Sequence, residues 1–328
     1  MRAAVLTDKH TFEVAEVPDP SPGADELVLR VSACGICGSD LKGHTVMPAG
    51  VVLGHEFCGE VVAVGAGSRD TWREGQQAAA LPLSSCGRCR WCLGDEPAHC
   101  ERVDLFGLGA TPGAFAEYVR VSAARTVPLD PSVGKAGALV EPLAVGLHAV
   151  AIGGVNPGDD VLVIGGGSVG LAVTVWARRF GARKVVVSDP VASRRDTAGG
   201  FGATDVHDPA SQPPPQGFDV VFECVGLPGM VQAAIDAATT RGRAVIAGVC
   251  VTPDTVVPVL ALLKEVEVRF AVYYRGNEFA AAAALLESGG IDADAFVTGH
   301  VDLNGVNDAF RRLLTSTGDR KILVTPNG

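Results

Sequence analysis

The pattern of apolar and polar positions changes character near residue 137. Before it, Val28 to Ser32, Glu60 to Val64 and Phe115 to Val121 are short β-branched or alternating runs separated by Gly, Pro and Asp, which predicts strands in an irregular β-rich region. Beyond it, Ala138 to Ile152 repeats apolar residues at helix spacing. Asp160 to Ile164, Lys184 to Val187, Phe218 to Phe222 and Arg243 to Ala247 then read as buried strands, with helices at Val169 to Phe180 and Pro228 to Thr239 between them. Strands alternating with helices imply a parallel sheet covered on both faces. The tail is mixed: helices near Glu278 to Ser288 and Val306 to Leu314, and a strand at Lys321 to Thr325. Gln212-Pro213-Pro214-Pro215-Gln216 is expected to be only a stiff surface loop.

A length of 328 residues fits two domains. The net charge of −10 and the absence of any Lys/Arg block exclude nucleic acid or an anionic membrane as the main partner. Charge arrives too early after Met1 for a signal-peptide core, and no apolar run approaches the length of a membrane span. A soluble, cytoplasmic protein is expected.

Two motifs carry chemistry on their spacing. Cys86, Cys89, Cys92 and Cys100 form C-x2-C-x2-C-x7-C, four soft donors on short loops, as a tetrahedral zinc requires. The rival reading, two disulfides, does not suit a cytosolic chain. With every position filled by protein, this zinc would be structural. Val161-Leu162-Val163-Ile164 then runs into Gly165-Gly166-Gly167-Ser168-Val169-Gly170, and Asp189 follows nineteen residues after Gly170. Strand, G-x-G-x-x-G, helix and a distal acid make the dinucleotide fingerprint. Gly165 allows the tight turn, Gly167 the approach of the pyrophosphate and Gly170 the packing of helix on strand. Asp189 would bind the ribose hydroxyls and repel a 2′-phosphate, favouring NAD over NADP, while Arg194 and Arg195 could weaken that preference.

A second donor set lies earlier. Cys37, in Cys34-Gly35-Ile36-Cys37-Gly38-Ser39-Asp40, and His55, in Gly54-His55-Glu56, are the mixed donors a catalytic zinc uses. Glu56 and Glu141 are candidates for a third, and Cys34 qualifies on spacing alone. Cys58, Cys224 and Cys250, in apolar surroundings, are expected in the core.

With these residues in view, the chain resembles the zinc-dependent medium-chain alcohol dehydrogenases, in their polyol and secondary-alcohol branch (sorbitol, butanediol and threonine dehydrogenases). The landmarks are C-G-I-C-G-S-D at 34–40, G-H-E at 54–56, the cysteine lobe, E-P-L at 141–143, the fingerprint, and F-E-C-V-G at 222–226. The resemblance implies an α/β protein: a GroES-like β-rich domain over residues 1–142 and 274–328, with the zinc lobe at about 84–102, and a Rossmann NAD-binding domain over 143–273. It makes Cys37 and His55 ligands of a catalytic zinc, with Glu56 and Glu141 as carboxylates in or next to its shell, giving two zinc ions per chain. Ser39 becomes the proton-relay hydroxyl, with Lys42 or His44 continuing the relay, and Asp40 the acceptor that orients His55. Ser168, Val169, Arg194, Val225 and Val249 join the cofactor residues. Tyr273 would stand where polyol relatives carry an arginine, unless a slip of two restores Arg275. The implied reaction passes a hydride from a secondary alcohol, polyol, cyclitol or amino alcohol to NAD in a homodimer or homotetramer. Two alternatives share the fold: a zinc-free NADP-dependent quinone or double-bond reductase, and a non-catalytic structural or sensing homologue.

Overall fold

The computed structural model describes residues 1–315 and 318–328. They form two compact units, Met1–Glu141 with Arg275–Gly328, and Pro142–Tyr274. The chain thus passes between them after Glu141 and before Arg275, one residue from each boundary read in the sequence.

The first unit is built on a seven-stranded sheet. Its centre is the long strand Glu26–Gly35, whose alternate residues Leu27, Leu29 and Val31 are fully buried. That strand pairs antiparallel with Glu56–Val64 through two irregularities of register. Outward from Glu56–Val64 lie Gln77–Ala80 and Thr126–Leu129. On its other side Glu26–Gly35 pairs with Tyr118–Ser122 near its start and with Ile322–Val324 near its end. The C-terminal segment is therefore woven into the N-terminal sheet. Phe115 meets Phe12 and Phe310 edge to face in the core, while Phe12 and Phe310 lie tilted with centroids 4.7 Å apart. The cysteine lobe is tied off at its base by a short antiparallel pair, Leu83–Ser84 with Asp104–Leu105.

The second unit is a six-stranded parallel sheet: β1 (Asp160–Ile164), β2 (Lys184–Ser188), β3 (Asp205–His207), β4 (Phe218–Glu223), β5 (Ala238–Ile246) and β6 (Glu267–Phe270). Their spatial order is β3-β2-β1-β4-β5-β6, so the direction of winding reverses between β1 and β4. Ligands of doubly wound sheets bind beyond the strand C-termini at that reversal. Val161, Val163, Val185, Val187, Val220 and Val221 have no exposed surface, as a sheet covered on both faces demands.

Several expectations are corrected. The helix expected to Thr239 is Met230–Ala237, because Ala238 to Arg243 extends β5. The run Pro131–Gly153 is long and apolar enough to cross a membrane by composition alone, contrary to the sequence reading. It is a 3-10 stretch, Pro131–Leu139, broken at Gly134, followed by the α-helix Val140–Gly153, and it is mostly buried within the protein. Cys250 is not a core residue; it is partly exposed, its thiol donating to the Thr252 carbonyl at 3.4 Å. The Pro-rich loop is more than surface, since Gln212, Pro214, Pro215 and Gln216 line a cavity described below.

Candidate active site

Cys37, Ser39 and Asp40 open the short helix Gly38–Gly43 immediately after the central strand of the first unit. Asp40 is fully buried and holds two things at once: its Oδ2 accepts the Cys37 N–H at 2.9 Å, and its Oδ1 lies 3.2 Å from His55 Nδ1. Nδ1 thus faces an acceptor, and a proton held there would leave Nε2 free to act as a donor atom to a metal. Ser39 Oγ stands 3.2 Å from that Nε2. Burial pushes the His55 pKa down, but the charge and hydrogen bond of Asp40, with Cys37 beside it, more than offset this and leave it well above the ordinary value. Lys42 lies on the same helix, half-buried.

One ligand atom each from Cys37, His55 and Glu56 falls within 4.8 Å of the other two. A thiolate, an imidazole and a carboxylate at that spacing suit the chemistry of zinc with an open position. Glu141 is not part of this cluster. It is buried at the start of the helix Val140–Gly153, close enough for its charge to act on Lys321. Cys34 is not in this cluster; its thiol donates to the Gly35 carbonyl at 3.7 Å, and full burial, and next Asp40, push its pKa well up.

Lys321 is the residue that sequence reading missed. It is fully buried, and its Nζ donates to Glu56 Oε1 at 2.7 Å, to Glu56 Oε2 and to the Ile36 carbonyl at 3.1 Å. Strand register brings it there: Leu323 pairs with Gly35, and Gly35 pairs with Glu56 on its other edge. Gly35 has no Cβ, and the Glu56 carboxylate occupies the space one would fill. Burial lowers the Lys321 pKa, yet Glu56, Cys37 and Glu141 together hold it above its ordinary value. The only available signal was a lysine heading a buried apolar strand.

In the lobe, ligand atoms of Cys86, Cys89, Cys92 and Cys100 all lie within 4.8 Å of one another. Cys89 and Cys92 sulfurs are 3.6 Å apart and Cys86 and Cys92 sulfurs 4.0 Å. Four sulfurs at about 2.3 Å from a tetrahedral zinc would be separated by about 3.8 Å. Backbone N–H groups of Cys89 and Arg102 donate to Cys86 and Cys100 sulfurs, both at 3.3 Å. The cysteines are free, so the disulfide alternative does not hold among the described residues. Hydrogen bonds from Arg88 and Cys89 N–H groups lower the Cys86 pKa to about 6. Arg275, the possible polyol-site arginine, instead pairs with Glu96 of this lobe, and Tyr273 takes a left-handed backbone conformation beside buried Tyr274.

In the second unit, Gly165 has φ +101°, and a Cβ on Gly170 would overlap the Gly165 carbonyl. A Cβ on Gly167 would meet nothing within 4 Å, which leaves open space before the helix Ser168–Arg179. Ser168 and Val169 form its first turn, whose N–H groups have no partner within a helix and suit a pyrophosphate. Asp189, buried at the end of β2, accepts from Gly166 N–H and Val191 N–H, each at 2.8 Å, and Arg194 reaches it at 3.6 Å. Gly165, Pro190 and Val225 line a cavity of about 420 Å³ that continues beneath the Pro-rich loop. Val249, half exposed, follows β5.

Fold and site together define a class, the zinc-binding dehydrogenases. Residues 23–131 match the alcohol dehydrogenase GroES-like domain and residues 168–288 match the zinc-binding dehydrogenase family. Sorbitol dehydrogenase of Bacillus subtilis (strain 168) is 30% identical over 100% of this chain and 98% of its own length. Scyllo-inosose 3-dehydrogenase of Thermotoga maritima is 33% identical over 92% of this chain and 87% of its own. A Sinorhizobium meliloti 1021 protein whose crystal structure holds NADP superposes with a TM-score of 0.90 at 33% identity, covering 99% of each chain. The chain belongs to the zinc-dependent medium-chain alcohol dehydrogenase superfamily.

Two outcomes follow from the site's electrostatics. Lys321→Met strands a buried carboxylate and is expected to cost about 3–5 kcal/mol in chemical denaturation, with much of the loss recovered in Lys321→Met/Glu56→Gln. After chelation of metal, Cys86 is expected to be alkylated at pH 7 with a rate profile half-maximal near pH 6. Cys58, whose pKa burial raises to about 12, is expected to stay unmodified, as read by peptide mass spectrometry.

Proposed function

We propose that this protein is an NAD-dependent dehydrogenase that oxidises a secondary alcohol or polyol, cyclitols and amino alcohols included, to the ketone, with one catalytic and one structural zinc. The observation that carries this reading is the approach of Cys37 and His55, whose ligand atoms lie within 4.8 Å of each other, with Ser39 Oγ at 3.2 Å from His55 Nε2. Cys37 and His55 would hold the catalytic ion. Glu56, engaged on both oxygens by Lys321, would stay outside its shell, and Glu141 would supply the carboxylate donor. A bound zinc supplies Lewis acidity that lowers the pKa of a substrate hydroxyl, and bound NAD accepts the hydride.

The chain's own part is to position and to move the proton. Asp40, 3.2 Å from His55 Nδ1, would favour the tautomer protonated there, and Ser39 offers a hydroxyl that can take a proton and pass it on. Lys42, three residues on, would continue the relay. Asp189 favours NAD, since its carboxylate is buried and would repel a 2′-phosphate. The NADP held by the Sinorhizobium relative makes this preference a point to measure.

We also propose a homo-oligomer. The edge strand β6 exposes Val268 and Phe270, with exposed Val272 just beyond it, and with Val256 and Ile246 these border a groove of about 610 Å³. An exposed apolar sheet edge invites pairing with its own copy about a two-fold axis.

Reduced-cofactor formation across diols, cyclitols, amino alcohols and simple secondary alcohols tests the activity. NAD-linked turnover of one substrate group is expected, abolished in Cys37→Ala, with Asp189→Ala shifting kcat/KM toward NADP by about tenfold or more. No turnover by the wild type on any group would contradict the reading. Sedimentation is expected to give a dimer or tetramer, and Phe270→Asp is expected to dissociate it.

A further inference from the structure

The motif F-E-C-V-G at 222–226 contains a carboxylate that the reaction does not use. Glu223 ends β4 and is 1% exposed. Its Oε1 accepts two N–H groups of the loop that follows, from Val225 at 2.6 Å and Gly226 at 2.7 Å. Its backbone carbonyl accepts two more from the loop after β5, from Ala247 and Gly248, both at 2.9 Å. Glu223 is thus shared by the loops that leave two neighbouring strands.

Those loops touch with no space for a side chain. A Cβ on Gly248 would sit 2.5 Å from Glu223 Oε2 and closer still to the Gly226 nitrogen. One on Gly226, at φ +69°, would sit 2.5 Å from the Val249 carbonyl oxygen. The 224–226 loop has a separate tie to the fingerprint turn, through Cys224 N–H to the Ile164 carbonyl at 2.9 Å and through Val225 against Gly165. The 247–249 loop meets the 224–226 loop at the Glu223 carbonyl and at the close approach of Gly226 and Gly248.

In a doubly wound sheet one half, here β1 to β3, takes the adenosine end of a dinucleotide and the other half, β4 to β6, the nicotinamide end. We infer that Glu223 is a positioning residue for the cofactor: its carboxylate fixes the 224–226 loop, its backbone carbonyl holds the 247–249 loop, and the carboxylate packs against Gly248, so that Val225 and Val249 present one fixed wall on the nicotinamide half of the site. This rests on the reading of the protein as a dinucleotide-dependent dehydrogenase.

The test is binding of NADH and NADPH by fluorescence, and of AMP by competition, to wild type, Glu223→Gln, Glu223→Ala and Gly248→Ala. Thermal unfolding is recorded for each. Glu223→Gln keeps an acceptor for both N–H groups and is expected to bind within about threefold of wild type. Glu223→Ala and Gly248→Ala are expected to weaken the preferred dinucleotide about tenfold or more, while AMP, served by Asp189 and the fingerprint, changes less than threefold. Equal loss of AMP and dinucleotide would overturn the inference, because Glu223 would then only support the fold. Unchanged dinucleotide binding in both Gly248→Ala and Glu223→Ala would overturn it too. A wild type that binds neither NADH nor NADPH would instead refute the dehydrogenase reading itself.

Discussion

A carboxylate shut away from water must be neutralised or paired, and Glu56 has no exposed surface. Its partner, Lys321, is equally buried and lies 265 residues away in sequence. The pair forms only if Ile322–Val324 joins the N-terminal sheet in the register that sets Leu323 against Gly35. The folding of the first unit and the electrostatics of its metal site are therefore one problem. A slip of one residue in that strand would turn Lys321 away and leave Glu56 uncompensated.

The charges around this pair explain how a site holding several acids can remain buried. Cys37, Glu56, Glu141 and Asp40 are gathered within one region, and Lys321 responds to three of them. With Glu56 neutralised by Lys321 and Asp40 engaged by His55 and the Cys37 N–H, Cys37 and one further carboxylate would balance the two charges of a zinc ion. Asp40 illustrates the economy of the arrangement, since one side chain caps a short helix and aims a ligand. In the second unit Asp189 and Glu223 play comparable parts, each accepting two backbone N–H groups and so fixing a loop at the end of a strand.

Much of this was legible because it rests on local pattern. β1 and the helix Val306–Leu314 fall where their apolar spacing placed them, and the cysteine lobe follows from spacing alone. What escaped was non-local or too short to show a period. β3 has three residues and β6 four, too few to stand out from a loop. Lys321 reads in sequence as the polar start of a strand, and only the register reveals its partner. The apolar run Pro131–Gly153 was hidden by Pro131, Gly134 and Lys135, which interrupt its apolar pattern before the α-helix Val140–Gly153 begins. Glu141 was legible as a candidate donor but not in its distance from the other three, because that depends on how the helix Val140–Gly153 leaves the sheet. Cys250 was misread since apolar neighbours in sequence, Val249 and Val251, are themselves exposed.

Two ions on one chain at chemically distinct places, with Glu56 reserved for Lys321, is a proposal that one measurement can decide. Anomalous diffraction from crystals at the zinc absorption edge addresses it directly. Two peaks per chain are expected: one enclosed by the sulfurs of Cys86, Cys89, Cys92 and Cys100, and one bound by Cys37 and His55 with a carboxylate of Glu141, while Glu56 remains on Lys321. A single peak confined to the lobe, or a second ion ligated by Glu56 with Lys321 displaced, would contradict it.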